Sequence, residues 1–402
     1  MARNIVNFEL FTNKKEQLRR IQLRRIRRRR AKIAFFAGIF VLVLIVIHIL
    51  NNSRCNYYVY KEVKEMENSA EVSYQPFARG YIKYSNDGAE YQKHFGRAVW
   101  NVPVSYQHPY SAQSSDYFLL ADKSSNVVTV FDENGLVNTL TLKYPVMQAG
   151  VSKQGIIEVI LAGDGISYVQ MYDKDGTMIA DMKASVDETG YPLACAISPD
   201  GTKLAVSYYS ISGMDARTSL AIYDFSRQLQ GNNVGLLGGF EYRDVLIPKL
   251  SFTSNNTLAA FGQDKTFFYD VSDAPELTRT LEFGDNIESV FEGNKYIGYV
   301  LDNKEDISQG RFRLCLYSKK GLEKLNVPID MNYDTIRMLG NQIIAYRDNE
   351  CTIINTKGKI LFQEALEGNG IASILPAFGW RSYYVVFRDR SVKMCLRFWG
   401  ED

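Results

Sequence analysis

The chain has 402 residues, 13% of them aromatic, and a formal net charge of +2. This charge is unevenly distributed. Residues 1–32 hold twelve basic and two acidic residues. Residues 33–402 hold 35 basic and 43 acidic residues, so their net charge is −8. The acidic remainder has no electrostatic footprint for nucleic acid, so the sequence excludes nucleic acid as its partner.

Residues 33–50 form an apolar run of eighteen residues without a formal charge. As a helix this run would cover about 27 Å, at about 1.5 Å per residue, which matches the hydrocarbon core of a bilayer. The sequence therefore predicts one transmembrane helix at residues 33–50, after a basic cytoplasmic segment at residues 1–32.

The orientation of this helix follows from the basic residues in front of it. Basic residues close to a membrane span stay in the cytoplasm, so the N-terminus is predicted inside and residues 51–402 outside. A cleaved signal peptide is disfavoured, because its apolar core is shorter and ends at a small-x-small site, whereas Asn51-Asn52-Ser53-Arg54 follows here. The topology-determining residues are Arg24, Arg25, Arg27, Arg28, Arg29 and Arg30.

Residues 51–77 are predicted to be a stalk with some helix or strand character, and residues 78–402 a separate extracytoplasmic domain. The five cysteines are scattered, without the close spacing of a metal knuckle or a disulfide framework. Four of them, Cys195, Cys315, Cys351 and Cys395, lie in strand-like runs and are predicted to pack as small hydrophobes. Cys55, just outside the predicted membrane, leaves a cross-link between two chains open.

A repeat runs through the outer segment. A strand with an aromatic or aliphatic end, followed by a polar turn, recurs in six places: residues 127–135, 168–176, 220–224, 266–270, 314–321 and 352–358. From Phe131 to Ile354 the five steps average about 45 residues, a period typical of a β-propeller with four antiparallel strands per blade. The segment beyond the anchor has about 330 residues, which is more than a single hydrophobic core usually includes. A repeat architecture accommodates this length because each pair of neighbouring repeats forms its own core.

Each recurring hairpin follows another predicted strand, so each unit is interpreted as strands a, b, c and d. At the ends, residues 80–84, 89–93 and 97–102 are predicted as strands b, c and d of a first blade, and residues 371–398 as strands a, b and c of a last one. Exchange of the missing strands between the ends would close the ring. The sequence favours eight blades, with seven as the alternative.

Two stretches support a family resemblance. Asn86-Asp87-Gly88 through Gly96-Arg97-Ala98-Val99-Trp100, together with the basic head and anchor, resembles an uncharacterised family of single-pass, membrane-anchored propellers of Gram-positive, clostridia-like bacteria. Residues 198–205, Ser-Pro-Asp-Gly-Thr-Lys-Leu-Ala, resemble blades of WD40-like and quinoprotein-like propellers. The resemblance implies the architecture and no particular activity.

Catalytic and metal-binding patterns are scarce. The three histidines are His48 in the anchor, His94 at a predicted turn and His108 in a loop, which gives little for a metal site or acid–base pairs. Asp173-Lys174-Asp175-Gly176 starts like a calcium loop but lacks the remaining acidic ligands, so an ordinary hairpin turn is predicted. We therefore predict no enzyme, catalytic residue, metal or cofactor.

Two turns between strands b and c are longer than the others and are predicted to lie on one face of the propeller, where loops commonly bind partners. They span residues 208–217 in the third full unit and 302–311 in the fifth. The candidate binding rim comprises Ser210, Ser212, Met214, Asp215, Arg217, Lys304, Glu305, Asp306 and Gln309.

These features favour a membrane-anchored extracytoplasmic propeller that acts as a non-catalytic binding or scaffolding module at the cell envelope. Its predicted partner is an envelope protein, a peptide or a glycan, and its oligomeric state is left open. Two alternatives stay open: an envelope sensor that signals to residues 1–32, and a quinoprotein-like or glycan-active enzyme.

Overall fold

A computed structural model describes residues 8–65, 72–93, 97–123, 125–212, 215–226, 235–284, 287–304, 308 and 310–400. The chain separates into two compact units, Met1–Arg54 and Cys55–Asp402. The first unit consists of one helix, and the second contains all the described strands.

Helix α1 (Phe8–Asn52) continues through the basic segment into the apolar run. Helix-forming Arg, Lys, Leu, Glu and Gln dominate its first half, and neither Gly nor Pro interrupts it before Gly38. Its Lys32–Asn52 part has a mean hydropathy of 3.0, and no part of that apolar window is buried against protein. By length and composition this part is able to cross a membrane.

The second unit is a β-propeller of eight four-stranded antiparallel sheets, which confirms the favoured blade number. The strands of the first half are β1 (Tyr57–Glu65), β2 (Ser73–Phe77), β3 (Gly80–Ser85), β4 (Gly88–Lys93), β5 (Arg97–Pro103), β6 (Pro109–Gln113), β7 (Phe118–Asp122), β8 (Val127–Asp132), β9 (Gly135–Thr141), β10 (Val146–Val151), β11 (Ile157–Ala162), β12 (Ile166–Tyr172), β13 (Met178–Ser185), β14 (Tyr191–Ile197), β15 (Lys203–Ser212), β16 (Asp215–Asp224) and β17 (Gly235–Arg243).

The strands of the second half are β18 (Lys249–Ser254), β19 (Thr257–Phe261), β20 (Lys265–Asp270), β21 (Glu276–Glu282), β22 (Ile287–Glu292), β23 (Tyr296–Asp302), β24 (Phe312–Ser318), β25 (Glu323–Ile329), β26 (Thr335–Leu339), β27 (Gln342–Arg347), β28 (Glu350–Asn355), β29 (Ile360–Ala365), β30 (Ile371–Pro376), β31 (Ser382–Phe387) and β32 (Arg390–Arg397). Blades 1 to 7 take four consecutive strands each, from β2–β5 to β26–β29. Blade 8 has the order β30-β31-β32-β1, so its outermost strand comes from the start of the domain.

The cores of the propeller lie between neighbouring blades. Strand b of each blade is sandwiched between two sheets and is therefore buried along most of its length, as in β7, where all five residues are buried. Strand d is mostly exposed, as in β21, where only one of seven residues is partly covered. This difference is the reason that the apolar runs of strands b and c carry the repeat signal in the sequence.

Polar turns join strands c and d, as the repeat predicts. In blade 2 the Asp132 carboxylate accepts hydrogen bonds from the backbone N–H groups of Asn134 and Gly135, at 2.6 and 3.0 Å. Gly135 adopts φ = +142°, a conformation that disfavours residues with a Cβ atom. The turn at Asp173 is stabilised in the same way, because its carboxylate accepts from the N–H groups of Asp175 and Thr177.

Within the range predicted as a stalk, residues 51–77, the structure places β1 and β2 in blades of the propeller instead. Strand β1 pairs antiparallel with β32, from Tyr57 opposite Arg397 to Glu65 opposite Arg390, and β2 is the innermost strand of blade 1. Blade 1 therefore needs no strand from the C-terminal end, and only one strand is exchanged rather than strands from both ends. The apolar start of β1 packs on blade 8, which explains why these residues join the sheet.

Two tyrosines fasten this closing strand. The Tyr58 hydroxyl accepts a hydrogen bond from the Glu367 backbone N–H at 3.0 Å, and the Tyr60 hydroxyl donates to the Glu367 carbonyl at 2.9 Å. Glu367 lies in the link between blades 7 and 8, and the Tyr58 ring packs edge-on against Phe362 of blade 7. Strand β1 thus ties together two blades as well as the edge of its own sheet.

The cysteines fit this packing. Cys195, Cys315 and Cys351 are buried and Cys395 is half-buried, which confirms their predicted place in the core. Cys55 is fully buried beside β1, where its backbone N–H donates to the Leu361 carbonyl at 2.7 Å. A partner chain cannot reach a thiol in this position. The structure therefore disfavours a disulfide between the Cys55 residues of two chains.

We expect Tyr58→Ala to lower the free energy of unfolding by about 3 kcal/mol, because it removes both the ring packing and the hydrogen bond to Glu367. The neighbouring Tyr57→Ala is the matched control, since the Tyr57 side chain is 51% exposed. Urea unfolding of both variants in detergent measures the difference. Equal stability of the two would contradict the closing role of Tyr58.

Candidate functional site

The first predicted rim segment is a β-hairpin rather than an irregular loop. Strands β15 and β16 pair without interruption from Lys203 opposite Asp224 to Ser212 opposite Asp215. The two strands stay paired through residues 208–217, where the sequence predicted a loop. This segment is therefore an extension of the hairpin between strands b and c of blade 4. Met214 lies outside the described residues, and of Ser212 the structure describes only the paired backbone.

The far end of this hairpin leaves the sheet. The flanking strand β14 stops pairing at Tyr209 of β15, and β17 stops pairing at Arg217 of β16. Residues 210–212 and Asp215 therefore form a short two-stranded ribbon beyond blade 4, while the Ala216 carbonyl still accepts a hydrogen bond from the Asp244 N–H at 3.0 Å. Ile211 in this ribbon is 66% exposed, and Asp215 is also exposed.

Arg217 lies at the base of the ribbon, and Ser210 opposite it is half-buried. In the other direction, Arg217 is the cross-strand neighbour of Arg243, so two cations face each other across β16 and β17. Among the described residues no group accepts a hydrogen bond from the buried Arg217 Nε. This arrangement provides a guanidinium donor at the point where the ribbon leaves the blade.

The second predicted rim segment follows β23 in blade 6. Lys304 is exposed, whereas Glu305, Asp306 and Gln309 lie outside the described residues. The base of this loop is closed by Asn303, whose backbone N–H donates to the Arg311 carbonyl at 3.0 Å and whose Nδ2 donates to the Gly310 carbonyl at 2.8 Å. Blade 5 separates the two rim segments. Both segments are turns between strands b and c, and all such turns lie on one face of the propeller.

A feature that sequence reasoning missed lies at the opposite, a-to-b end of the channel. The innermost strands and turns of blades 2 to 6 enclose a cavity of about 770 Å³. A second cavity of about 950 Å³ is lined by the a-to-b turns of blades 1, 2, 6, 7 and 8. The two share residues 113–115, Gly293 and Asn294, so they are neighbouring parts of one central opening.

Glu158 of β11 is the most unusual residue of the first cavity. Its side chain is 5% exposed, and Oε2 has no hydrogen-bond partner among the described residues. It lies opposite Gly150 of β10, where a Cβ atom would overlap the Glu158 carboxyl. Burial raises the pKa of Glu158 to about 8, although a hydrogen bond from the Ile197 backbone opposes this change.

A second polar cluster lies across the cavity, on blades 5 and 6. Lys249 Nζ lies 3.0 Å from Glu292 Oε1, and the Ser251 hydroxyl donates to Glu292 Oε2 at 2.7 Å. Burial alone would raise the pKa of Glu292, yet these two partners lower it overall. Lys319 of blade 6 also lines this cavity, and burial lowers the pKa of its amine.

The cavity therefore combines a buried carboxyl of raised pKa, an ion pair and a partly desolvated amine. Such groups are able to orient a polar ligand through hydrogen bonds. Within the part of the chain that the structure describes, no three His, Cys, Asp or Glu residues cluster to hold a metal ion. A signal was present in the sequence, since Glu158 is the one charged residue of the apolar strand β11.

Comparison with known proteins identifies the family. The model of one protein family, the family of unknown function DUF5711, matches residues 51–396. The chain belongs to this family. The match covers the described strands of the DUF5711 propeller apart from the last residue of β32, and it includes only the last two residues of α1. None of the curated proteins matches the chain.

Solved structures share the fold of this DUF5711 chain. Saccharomyces cerevisiae Sqt1 is similar with a TM-score of 0.52 at 11% identity, over 85% of this chain and 100% of that one. Apo AztD from Citrobacter koseri is similar with a TM-score of 0.51 at 11% identity, over 75% and 87%. Identities this low show the propeller fold alone. The resemblance to an uncharacterised propeller family is confirmed, whereas its membrane anchorage and bacterial source stay predictions.

The buried Glu158 gives a pH-dependent prediction. Its pKa of about 8 lies above the usual 4.5, so the folded state keeps a proton that the unfolded state has released. The free energy of unfolding should therefore fall as pH rises from about 4.5 to 8, by roughly 1.4 kcal/mol per unit of pKa difference. Glu158→Gln, which imitates the protonated form, should remove this loss.

Glu188→Gln, at an exposed position in the link between blades 3 and 4, is the matched control. Denaturant unfolding at pH 5 and pH 9 measures each effect. The stability gap between Glu158→Gln and the unmodified protein should widen at pH 9, and a gap that stays constant with pH would contradict a protonated Glu158.

Proposed function

We propose that this protein is a single-pass membrane protein with a cytoplasmic N-terminus, whose propeller is a non-catalytic binding or scaffolding module at the cell envelope. The apolar part of α1 is long enough to cross a bilayer, and the arginines from Arg24 to Arg30 precede it on one side only. Basic residues on that side support the inside position of the N-terminus.

The ribbon at the end of β15 and β16 is the observation that carries the binding function. These two strands, ten residues each, are the longest strands of the propeller among the described residues. Free edges of a two-stranded ribbon offer backbone N–H and C=O groups to another chain, and the exposed Ile211 adds an apolar contact. An extended segment of an envelope protein or peptide is the ligand class that this geometry favours over a glycan.

The rim residues then take specific roles. Ser210, Ile211, Ser212 and Asp215 provide the edges of the ribbon, and Arg217 provides a donor at its base. Lys304, together with Glu305, Asp306 and Gln309, supplies charged and polar contacts from blade 6. Two segments separated by one blade are suited to a partner that lies across the face rather than in a narrow pocket.

Cross-linking in intact cells with a membrane-impermeant reagent, followed by mass spectrometry, tests this proposal. We expect Ile211→Ser to lose most of the captured partners, because it removes the exposed apolar contact of the ribbon. The matched control is Leu136→Ser, which changes a 50% exposed aliphatic residue beside a c-to-d turn, on the other face of the ring.

Two outcomes would contradict the proposal in different ways. Identical partners for Ile211→Ser, Leu136→Ser and the unmodified protein would show that the rim does not bind. Cross-links that form only after cells are lysed would show that the propeller is not outside the membrane. Circular dichroism of the purified variants verifies that both substitutions leave the fold intact.

A further inference from the structure

The two most exposed large apolar side chains among the described residues lie at the same end of blade 8. Phe378, which lines the central opening, is 87% exposed, and Trp399 is 79% exposed. Tyr57 and Trp380 are about half exposed, at 51% and 50%. We call Tyr57, Trp380, Phe398 and Trp399 the aromatic edge.

Ring contacts join Trp380, Phe398 and Trp399, and the Tyr57 ring lies beside Gly400, the residue after Trp399. The Trp380 and Phe398 ring centroids are 5.6 Å apart, and those of Phe398 and Trp399 are 5.8 Å apart. The Arg381 guanidinium lies 4.8 Å from the Trp380 ring and 5.5 Å from the Phe398 ring, which holds both rings in place. Single exposed hydrophobic residues are common, but a cluster of this kind marks an interaction site.

The aromatic edge surrounds the place where the chain enters the ring. Trp380 lies in the turn between β30 and β31, Trp399 follows β32, and Tyr57 begins β1. These three chain segments meet at the same end of blade 8. Arg381 links them to the entry point, because its Nη1 donates to the buried Cys55 Sγ at 2.8 Å.

The connection between α1 and the propeller is short in sequence. Only Ser53 and Arg54 separate Asn52, the last residue of the helix, from Cys55, which is fixed in the propeller. If α1 spans the membrane, the chain therefore leaves the bilayer within a few residues of the end of blade 8 that carries the aromatic edge.

We propose that the aromatic edge binds the interfacial region of the same bilayer that α1 crosses. This inference rests on the proposed function, because it requires α1 to span the membrane. Tryptophan and tyrosine rings with an apolar body and a polar group are enriched at this depth, where lipid replaces water around the rings. The bound edge would restrain blade 8 at the membrane, in addition to the covalent link.

Intrinsic fluorescence tests this directly, because two of the three tryptophans of the chain, Trp380 and Trp399, belong to the edge. The full-length protein is reconstituted into phosphatidylcholine vesicles with and without bromine on the acyl chains, which quenches nearby indole rings. Trp100→Phe keeps only the two edge tryptophans. We expect their emission to be blue-shifted and to lose intensity in brominated vesicles.

The double variant Trp380→Phe, Trp399→Phe is the matched control, since it keeps Trp100, which stacks on Phe131 at 5.0 Å between blades 1 and 2. Its emission should be the same in both kinds of vesicle. If Trp100→Phe fails to fold, the difference between the unmodified protein and the double variant isolates the same two tryptophans.

Flotation of the vesicles distinguishes a wrong inference about the aromatic edge from a wrong proposal that α1 spans the membrane. A protein that does not float with vesicles would show that α1 does not insert, which overturns the proposed function. Flotation with unquenched edge tryptophans that remain open to aqueous iodide would overturn the aromatic edge alone. Edge emission that depends on protein concentration and not on lipid bromination would assign the edge to a second copy of the chain, and would also overturn the inference.

Discussion

The pairing of β1 with β32 is the constraint on which the rest of the propeller depends. Without β1, blade 8 would have three strands and an open β32 edge, which is a site for unwanted pairing. Blade 8 packs on blade 7 through one side and on blade 1 through residues such as Tyr74 and Leu375. Since each core lies between two blades, a ring that opens here exposes a core, and the Tyr58 and Tyr60 hydroxyls on Glu367 oppose this opening.

The closed ring also determines on which face of the propeller the ribbon of blade 4 and the central cavities lie. The ribbon of blade 4 projects at the end where strands b and c turn, whereas the central cavities open at the other end. Glu158 is held in this cavity by the ring itself, because its carboxyl is enclosed by Gly150 of its own blade and by Ile197 of the next one. The two ends differ in chemistry, with a projecting ribbon at one and a buried carboxyl of raised pKa at the other.

The sequence predicted the blades well, because the aromatic c strands and their Asp, Asn and Gly turns repeat with one period. It did not predict the role of residues 57–65, since four apolar residues followed by charges resemble a stalk, and their pairing partner lies at the other end of the chain. Similarly, the polar composition of residues 208–217 indicated a loop, whereas the ladder pairing of β15 and β16 extends through it. Glu158 stands out in the sequence as the one charged residue of β11, but its position opposite Gly150, which makes room for its carboxyl, is visible only in the structure.

Hydrogen exchange of the full-length protein in detergent, measured peptide by peptide, tests the central claim most directly. If β1 closes the ring, the amides of residues 57–65 that pair with β32 should exchange about as slowly as those of β32, and both should lose protection together as denaturant is added. Rapid exchange throughout residues 57–65 while β32 stays protected would show that these residues are a stalk and that the ring closes without them.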